Sequence, residues 1–398
     1  MSSEHGHVYV FPSGDSRSIE IDRVLSCAAT ERLPVRVKLP RGAESWLVTS
    51  HSDVVNLYKS SAFVRSGFED SLAPRTTERP LLQPGSFGGT GGEQLLKIRR
   101  ATRMLLSPEL LNKISDLAKL TADDIIDVLL ARPACDLVSD LAEVIPMNSA
   151  CLILGIPKSL SPEIKRYTAH LLAVVGADSE RNEERDDGIS AVCQILLDAM
   201  RKTNQVQGGL AWLRNAKEIE LSDSELITIG FGLIMAGYET TAIVLGKIFL
   251  RLAQSPTEYA ALRRNGVTPS AVDEYLRLIS VSAGDGLPWR VSTACELSGV
   301  RMEPGEYAVP SVATANRDPA VFDCPNVLDF NRKNSKRHLS FGYGEHYCLG
   351  SEVAKIEIEG VLQAFCRRVS DISVLMPGPT WKQEHVLAAL QTLPVALY

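Results

Sequence analysis

The segment Phe341-Gly-Tyr-Gly-Glu-His-Tyr-Cys-Leu-Gly350 sets one cysteine, Cys348, in a loop punctuated by glycines. Gly342 and Gly344 permit tight-turn torsions that other residues resist, and Gly350 lets a flat group approach closely. From Ser351 to Phe365 the apolar residues recur at helical intervals. Cys348 is therefore expected at a helix N-terminus, where amide N–H groups and the macrodipole favour a thiolate. A thiolate so placed suits a single bond to iron. The alternative is an ordinary buried thiol, since free cysteine is among the most buried residue types.

Two further groupings could do chemistry. Ala236-Gly-Tyr-Glu-Thr-Thr241 interrupts a long apolar run, and polar residues placed there need a reason. Thr240 and Glu239 could handle protons, or Thr240 could bond back to its own helix while Glu239 pairs with a distant cation. Glu274-Tyr-Leu-Arg277 puts an acid and a base three residues apart, on one helical face. Most such pairs are solvated surface bridges of little worth.

The loop matches F-G-x-G-x-H-x-C-x-G in full and resembles the haem-binding loop of the cytochrome P450 superfamily. Ala236–Thr241 is similar to that family's A-G-x-E-T-T segment. Asn316-Arg-Asp-Pro-Ala-Val-Phe322 and Asp329-Phe-Asn-Arg332 resemble its segments ahead of the loop, so the likeness runs from about Val35 to the C-terminus. It implies a mainly α fold with a minor β part, in which haem b lies between a long central helix and the cysteine loop. Cys348 would be the iron ligand, with Phe341, Gly342 and Gly350 around it. Gly237 would open the central helix beside dioxygen, Thr240 would hydrogen-bond its distal oxygen, and Glu239 would relay protons.

The resemblance also implies that Glu274 and Arg277 are buried and structural, with Arg332 or Arg317 as third member. Arg99, Arg290, His338 and His346 match the cations that hold haem propionates. One departure stands out: Leu95 occupies the place where the family usually has a histidine, four residues before Arg99.

The elements that must position these groups follow from pattern. A helix is expected at 18–29, then strands at Val35–Leu39 and Trp46–Thr49 around Pro40-Arg-Gly-Ala43, a hairpin signal. A helix capped by Ser52 follows. Residues 64–92 hold Pro74, Pro80 and Pro84 with several glycines, too punctuated for regular structure, and a loop that long is usually functional or mobile. Helices are expected near 93–106, 109–131, 137–153, 161–176 and 185–203. The longest runs from Glu225 to Leu252, with Ser222-Asp-Ser-Glu225 as a capping box and Leu221 with Leu226 as a staple. It is apolar nearly all round, as a core helix is, and its Glu239, Thr240 and Thr241 argue against a membrane span. Helices near 256–264 and 269–280 and short strands complete the chain. One domain over 1–398 is expected, β-rich near 30–50, 287–312 and 376–398 and helical over 93–280 and 338–370.

Length allows a large core. With 42 basic and 48 acidic residues the formal charge is −6, which gives no general reason to expect nucleic acid or an anionic membrane as partner. Eight cysteines, at 27, 135, 151, 193, 295, 324, 348 and 366, show neither C-x-x-C pairs nor zinc spacing, which fits a reducing cytoplasm. The first residues carry neither a basic n-region nor a long apolar segment, so neither leader nor anchor is expected.

Function follows from the resemblance: a haem-thiolate monooxygenase that takes electrons from an external ferredoxin and ferredoxin reductase fed by NAD(P)H, and activates O2. Val281–Arg290 and Gly42–Val48, with the missing histidine, look like members that oxidise cyclodipeptides (diketopiperazines), including by C–C or C–N coupling. The ordinary oxygen motif and His385-Val-Leu-Ala-Ala-Leu390 depart from a coupling member and suggest a more apolar pocket, of the kind a tryptophan-containing cyclodipeptide would fill. Phe87, Leu233, Ala236, Gly237, Ser282, Asp285 and Leu387 are candidate pocket residues. The alternatives are a hydroxylase of another apolar scaffold, such as a macrolide or terpenoid, and a non-catalytic haem-binding sensor.

Overall fold

The computed structural model describes residues 8–10, 25, 30, 32–65, 71–76, 88–169, 171, 179–201, 209–282, 286–383, 385 and 387–398. Most of the helix expected at 18–29 lies outside them, as do Phe87 and Asp285.

The central helix is Asp223–Gln254, and its start is specified as the sequence demands. The Ser222 hydroxyl accepts from the Glu225 amide at 3.2 Å while the Glu225 carboxylate accepts from the Ser222 amide at 2.8 Å, a reciprocal cap. Its first half buries Leu226, Ile229 and Ile234 against the helices Gly92–Leu105, Val144–Leu154 and Ser179–Arg201. Its second half buries Val244, Leu245, Ile248 and Phe249 against the helices Pro108–Leu130 and Ser351–Arg368. Each such side chain contributes about 1.5–3 kcal/mol on burial. The helix is long and apolar enough to cross a membrane, yet most of that apolar stretch is buried inside the molecule, the place of a core helix.

The helices Pro108–Leu130 and Ser351–Arg368 pack at close range. At Gly360 a Cβ would stand 3.2 Å from the Ala118 Cβ and 3.3 Å from Lys119 Cγ, so the missing side chain sets their spacing. Arg367 and Arg368 then reach Asp123 at 2.6 and 3.0 Å.

The main sheet orders its strands as Tyr9–Val10, Val35–Lys38, Ser45–Val48, Tyr307–Pro310, Trp289–Val291 and Phe63–Val64. The expected hairpin is its second and third strands, with Val35 opposite Leu47. Three boundaries differ from expectation. The helix after the hairpin is His51–Lys59, capped by Ser50 rather than Ser52, because Ser50 Oγ accepts from the Asp53 amide at 3.1 Å and Ser52 already sits in the first turn. The helix expected at 137–153 is split: a π turn at Val138–Ala142 precedes Val144–Leu154, and Asp136 accepts from the amides of Val138 and Leu393 at 3.0 and 2.8 Å. That carboxylate ties the turn to the C-terminal strand. The helix expected at 161–176 ends at Thr168.

One buried polar network positions the segment that leads to Cys348. Glu274 and Arg277, on the helix Pro269–Leu278, form a bidentate pair at 2.8 and 2.8 Å with both side chains fully buried. Arg332 is the third member, donating to Glu274 Oε1 at 3.0 Å. Arg317 instead donates to the carbonyls of Ala313 and Leu278. Arg277 also donates to the carbonyls of Asn316, Pro325 and Val327 at 2.9, 2.6 and 3.1 Å. Asn316 continues the chain, accepting from the Leu339 amide at 2.6 Å and donating to Ser340 Oγ at 2.9 Å.

Removing one partner of a buried pair leaves the other charge uncompensated, at a cost of about 3–5 kcal/mol. Glu274→Ala is expected to lower the thermal midpoint by that order and to yield protein without ordered cofactor uptake. Arg317→Ala is expected to be milder, and equal losses in the two would contradict the assignment of Arg332 as third member.

Candidate active site

Cys348 stands two residues ahead of Gly350, the cap of the helix Ser351–Arg368. Its amide donates to the Phe341 carbonyl at 2.9 Å, closing the loop. Gly342 and Gly344 both take φ of +70°, the left-handed region their spacing anticipates. At Gly344 a Cβ would meet the Tyr58 carbonyl oxygen at 3.0 Å, so the loop lies against the helix His51–Lys59. The thiol is accessible although protein surrounds it, because the surface it exposes is the wall of a cavity of about 890 Å³. Burial pushes the thiol pKa up, and the Gly350 amide and the Arg99 charge oppose that without reversing it. The helix-end stabilisation expected from sequence is present but is outweighed by desolvation.

The central helix forms the facing wall through Leu233, Ala236, Gly237, Thr240 and Thr241. Nothing lies within 4 Å of where a Gly237 Cβ would stand. The Thr240 hydroxyl donates to the Ala236 carbonyl at 2.5 Å, the helix back-bond. Glu239 is buried and does not line the cavity. Its carboxylate lies 2.9 Å from Lys382 Nζ and 2.8 Å from His385 Nε2. Burial would raise its pKa, but those two partners hold it below the usual carboxylate range. Thr240 thus bonds back to its own helix and Glu239 pairs with a distant cation, the alternatives the sequence left open, with His385 as a further partner.

One edge of the cavity gathers positive charge, and not with the full set expected. Arg99 is buried, lines the cavity and donates to the Tyr347 carbonyl at 2.9 Å. His346 lines it too, with its ring edge-on to Trp289 at 5.2 Å, and burial next to Arg65 and Arg99 lowers its pKa to about 4. Arg290, expected beside the propionates, is exposed on its strand, where alternation turns Trp289 and Val291 inward, and it is not among the residues lining the cavity. His338 is not brought to the cavity either. It lies outside the cavity lining, 3.5 Å from Asp273, with its Nδ1 accepting from the Ser340 amide at 3.2 Å.

Arg65 takes the position that Arg290 leaves. Val64 pairs with Arg290 across antiparallel strands, which sets residue 65 beside Trp289. The guanidinium lies 4.2 Å over the Trp289 ring and donates to the Pro288 carbonyl at 3.0 Å. It is 8% exposed, its Nε has no partner, and no carboxylate pairs with it among the described residues. Burial lowers its pKa to about 10.

Of the candidate pocket residues, Leu233, Ala236, Gly237, Ser282 and Leu387 line the cavity. Sequence reasoning missed Arg65, His385 and Glu357. Glu357 is fully buried on the cavity wall, its Oε2 lacks a partner, and burial raises its pKa to about 8 despite hydrogen bonds from Ser149 and Thr241. A carboxylate on the apolar face of the helix after Cys348 was the signal for it. Arg65 had none beyond its place next to a strand.

The residues present fit a haem. The cavity is within the range of about 300–1,000 Å³ typical of small-molecule and cofactor sites. One accessible sulfur faces it. Nothing stands within 4 Å of a Cβ at Gly350 or at Gly237 on the opposite wall. The unpartnered Nε of a buried arginine at one edge calls for an anion.

The chain matches the family model Cytochrome P450 over residues 156–370, more than half its length. It is 29% identical over 367 residues to mycinamicin IV hydroxylase/epoxidase of Micromonospora griseorubida, covering 90% of this chain and 91% of that one. It is 28% identical to nocardicin C N-oxygenase of Nocardia uniformis subsp. tsuyamanensis, covering 97% and 98%, and 30% identical to cytochrome P450 105A3 of Streptomyces carbophilus, covering 90% and 88%. Among solved structures, a mixed-function P450 in complex with mycinamicin IV superposes with a TM-score of 0.87 at 25% identity, covering 98% of this chain and 100% of that one. A cytochrome P450 with biaryl coupling reactivity superposes with a TM-score of 0.88 at 25% identity and the same coverage. Fold, cavity and relatives agree, and the chain belongs to the cytochrome P450 family of haem-thiolate monooxygenases.

Proposed function

We propose that the chain is an oxidase of secondary metabolism in which Cys348 holds the haem iron and an apolar natural-product scaffold binds against Leu233, Ala236 and Leu387. The observation that carries this reading is one cavity faced by the Cys348 thiol on one wall and by Gly237 and Thr240 on the other. Haem, when bound, supplies one-electron and dioxygen chemistry. Arg65 and Arg99 would neutralise its propionates, with His346 beside them as a neutral hydrogen-bonding ring. Gly237 would leave the helix open at the reacting face, and Thr240, whose hydroxyl bonds to the Ala236 carbonyl, would offer it to dioxygen instead. Electrons come from an external ferredoxin and its reductase. The enzymatic character of the relatives turns the chain away from the sensor reading.

Relatives named for hydroxylating or epoxidising mycinamicin IV and for N-oxygenating nocardicin C support a natural-product substrate, and the biaryl-coupling neighbour keeps oxidative coupling within reach of the fold. None of the relatives named above carries a cyclodipeptide in its name. The cyclodipeptide reading rests on Val281–Arg290, Gly42–Val48 and the histidine missing at Leu95, and Arg290 does not line the cavity.

The purified holoprotein is expected to show a thiolate-type Soret band in its reduced carbon monoxide complex, and Cys348→His to lose it. A normal band in that variant would remove Cys348 from the iron. Arg65→Ala is expected to speed haem transfer to apomyoglobin by about tenfold or more, the worth of one charge-assisted hydrogen bond, whereas Arg290→Ala leaves it near wild type; the reverse order would restore Arg290. Titration with macrolides and with tryptophan-containing cyclodipeptides, followed by difference spectra, decides the substrate class. A spin-state shift with macrolides only retires the cyclodipeptide reading, and a shift with cyclodipeptides only retires the macrolide one.

A further inference from the structure

Two turns beyond Thr240 on the central helix stands a lysine, Lys247. Spacings of four and seven residues put Val244 and Lys247 on the same stripe as Thr240. Thr240 and Val244 line the cavity, and Lys247 does not. Lys247 is 2% exposed, and among the described residues no carboxylate pairs with its amine, whose pKa burial alone lowers to about 7. An apolar side chain of that size would fill the space without the cost of burying an ammonium. Packing therefore does not account for the amine.

Its contacts do. Nζ donates to the Ser280 carbonyl at 2.6 Å and stands 5.8 Å from the centre of the Trp381 ring. Ser280 belongs to the stretch 279–282, every residue of which lines the cavity. That stretch follows the helix Pro269–Leu278 and is itself neither helix nor strand, so its position depends on the groups that hold it. Its carbonyls are reached from two sides, by Lys247 at Ser280 and by the Ala388 amide at Val281, the latter at 3.1 Å. Ala388 adjoins Leu387, another lining residue, and the Lys382 amide donates to the Ala389 carbonyl at 2.9 Å, which joins Trp381 to the same segment. Central helix, 279–282 stretch and C-terminal segment thus meet at one amine. The Ser280 and Ser282 hydroxyls, 3.4 Å apart, are the polar side-chain groups of the stretch.

We infer that Lys247 is a positioning residue for substrate: it fixes the 279–282 wall, and through Trp381 the segment that carries Leu387, at a set distance from the helix face that carries Thr240. The inference rests on the haem-oxidase reading above. Because Lys247 does not line the cavity, its loss leaves haem and small iron ligands alone and alters only ligands that reach the wall. Substrate is then selected by the gap between that wall and the central helix, with the two serine hydroxyls held at fixed points for its polar groups.

The test uses holoenzyme and two iron-binding probes of different reach, followed by difference spectra. Imidazole is small enough to bind without meeting the wall, whereas the triarylmethyl group of clotrimazole must fit against it. Lys247→Met fills the space but donates nothing. It is expected to weaken clotrimazole about fivefold or more, the worth of one hydrogen bond, and to leave imidazole within about twofold. Deuterium exchange is expected to quicken in peptides covering 279–282 and 387–390 and to stay unchanged at 223–232. Lys247→Gln, whose donor falls one bond short, is expected to move both readouts in the same direction and serves where the first variant folds poorly. Leu250→Ala, a core truncation on the same helix, is expected to lower the thermal midpoint without changing the ratio of the two dissociation constants. Either a wild-type ratio or wild-type exchange in the Lys247 variants overturns the assignment, as does an equal change of ratio in Leu250→Ala or failure of both Lys247 variants to take up haem. Absence of the thiolate-type band and of the imidazole shift in wild-type protein would instead overturn the haem-oxidase reading.

Discussion

The carboxylate of Glu274 is the constraint on which the site depends. It is fully buried, accepts from Arg277, Arg332 and the Asp329 amide, and so spends its lone pairs on its own helix and on one distant segment, 329–332. An isolated carboxylate in that place would cost far more than the fold could offset, and full satisfaction turns the cost into specificity. Only one arrangement of the chain around 316–332 satisfies it. Asn316 then passes that arrangement on, through the Leu339 amide and Ser340, to the residues that open the cysteine loop. Ser340 Oγ returns to the Leu276 carbonyl at 2.6 Å, so loop and helix are joined at both ends. The placement of Cys348 is thus decided well before the loop itself begins.

The cationic edge illustrates a different rule. Charge at a cofactor edge can be supplied from any element whose register brings it there, and the period of two along a strand decides which residue of a pair turns inward. In Trp289–Val291 that period selects Trp289. The indole then carries the Arg65 guanidinium over its ring and meets His346 edge-on. Leu95, where the family usually has a histidine, is buried and lines the cavity, so the substitution converts a polar contact into packing.

Much of this was legible in the chain. The glycine spacing foretold the left-handed turns at Gly342 and Gly344, the capping box foretold the start of the central helix, and the three-residue spacing of Glu274 and Arg277 foretold their common face. These are local rules, in which partner and cause lie within a few residues. What escaped was set by tertiary contact. The choice of Arg332 over Arg317, the turning of Arg290 to solvent, and the pairing of Glu239 with His385 each depend on segments between 58 and 226 residues apart. Nothing in the local pattern of either partner records the other. The split at Val138–Ala142 belongs to the same class, because the Asp136 carboxylate that fixes it also answers to Leu393.

The division between the two walls of the cavity follows from these constraints. The wall bearing Cys348 is held by buried ionic and backbone hydrogen bonds, which tolerate little change because each unpaired member is costly. The facing wall and its flanks are mostly apolar at Leu233, Ala236, Ile279 and Leu387. Packing of that kind accepts volume-conserving exchange at low cost. A chain built this way can keep its oxidant fixed while the shape it presents to substrate drifts, and the few polar side chains on the permissive side, Ser282 and His385 among them, then carry disproportionate weight. His385 bridges the two regimes: it lines the cavity from the C-terminal segment, but its partner Glu239 belongs to the central helix. A change in that segment that alters substrate fit would therefore also alter the ionisable contacts of the helix beside the reacting face.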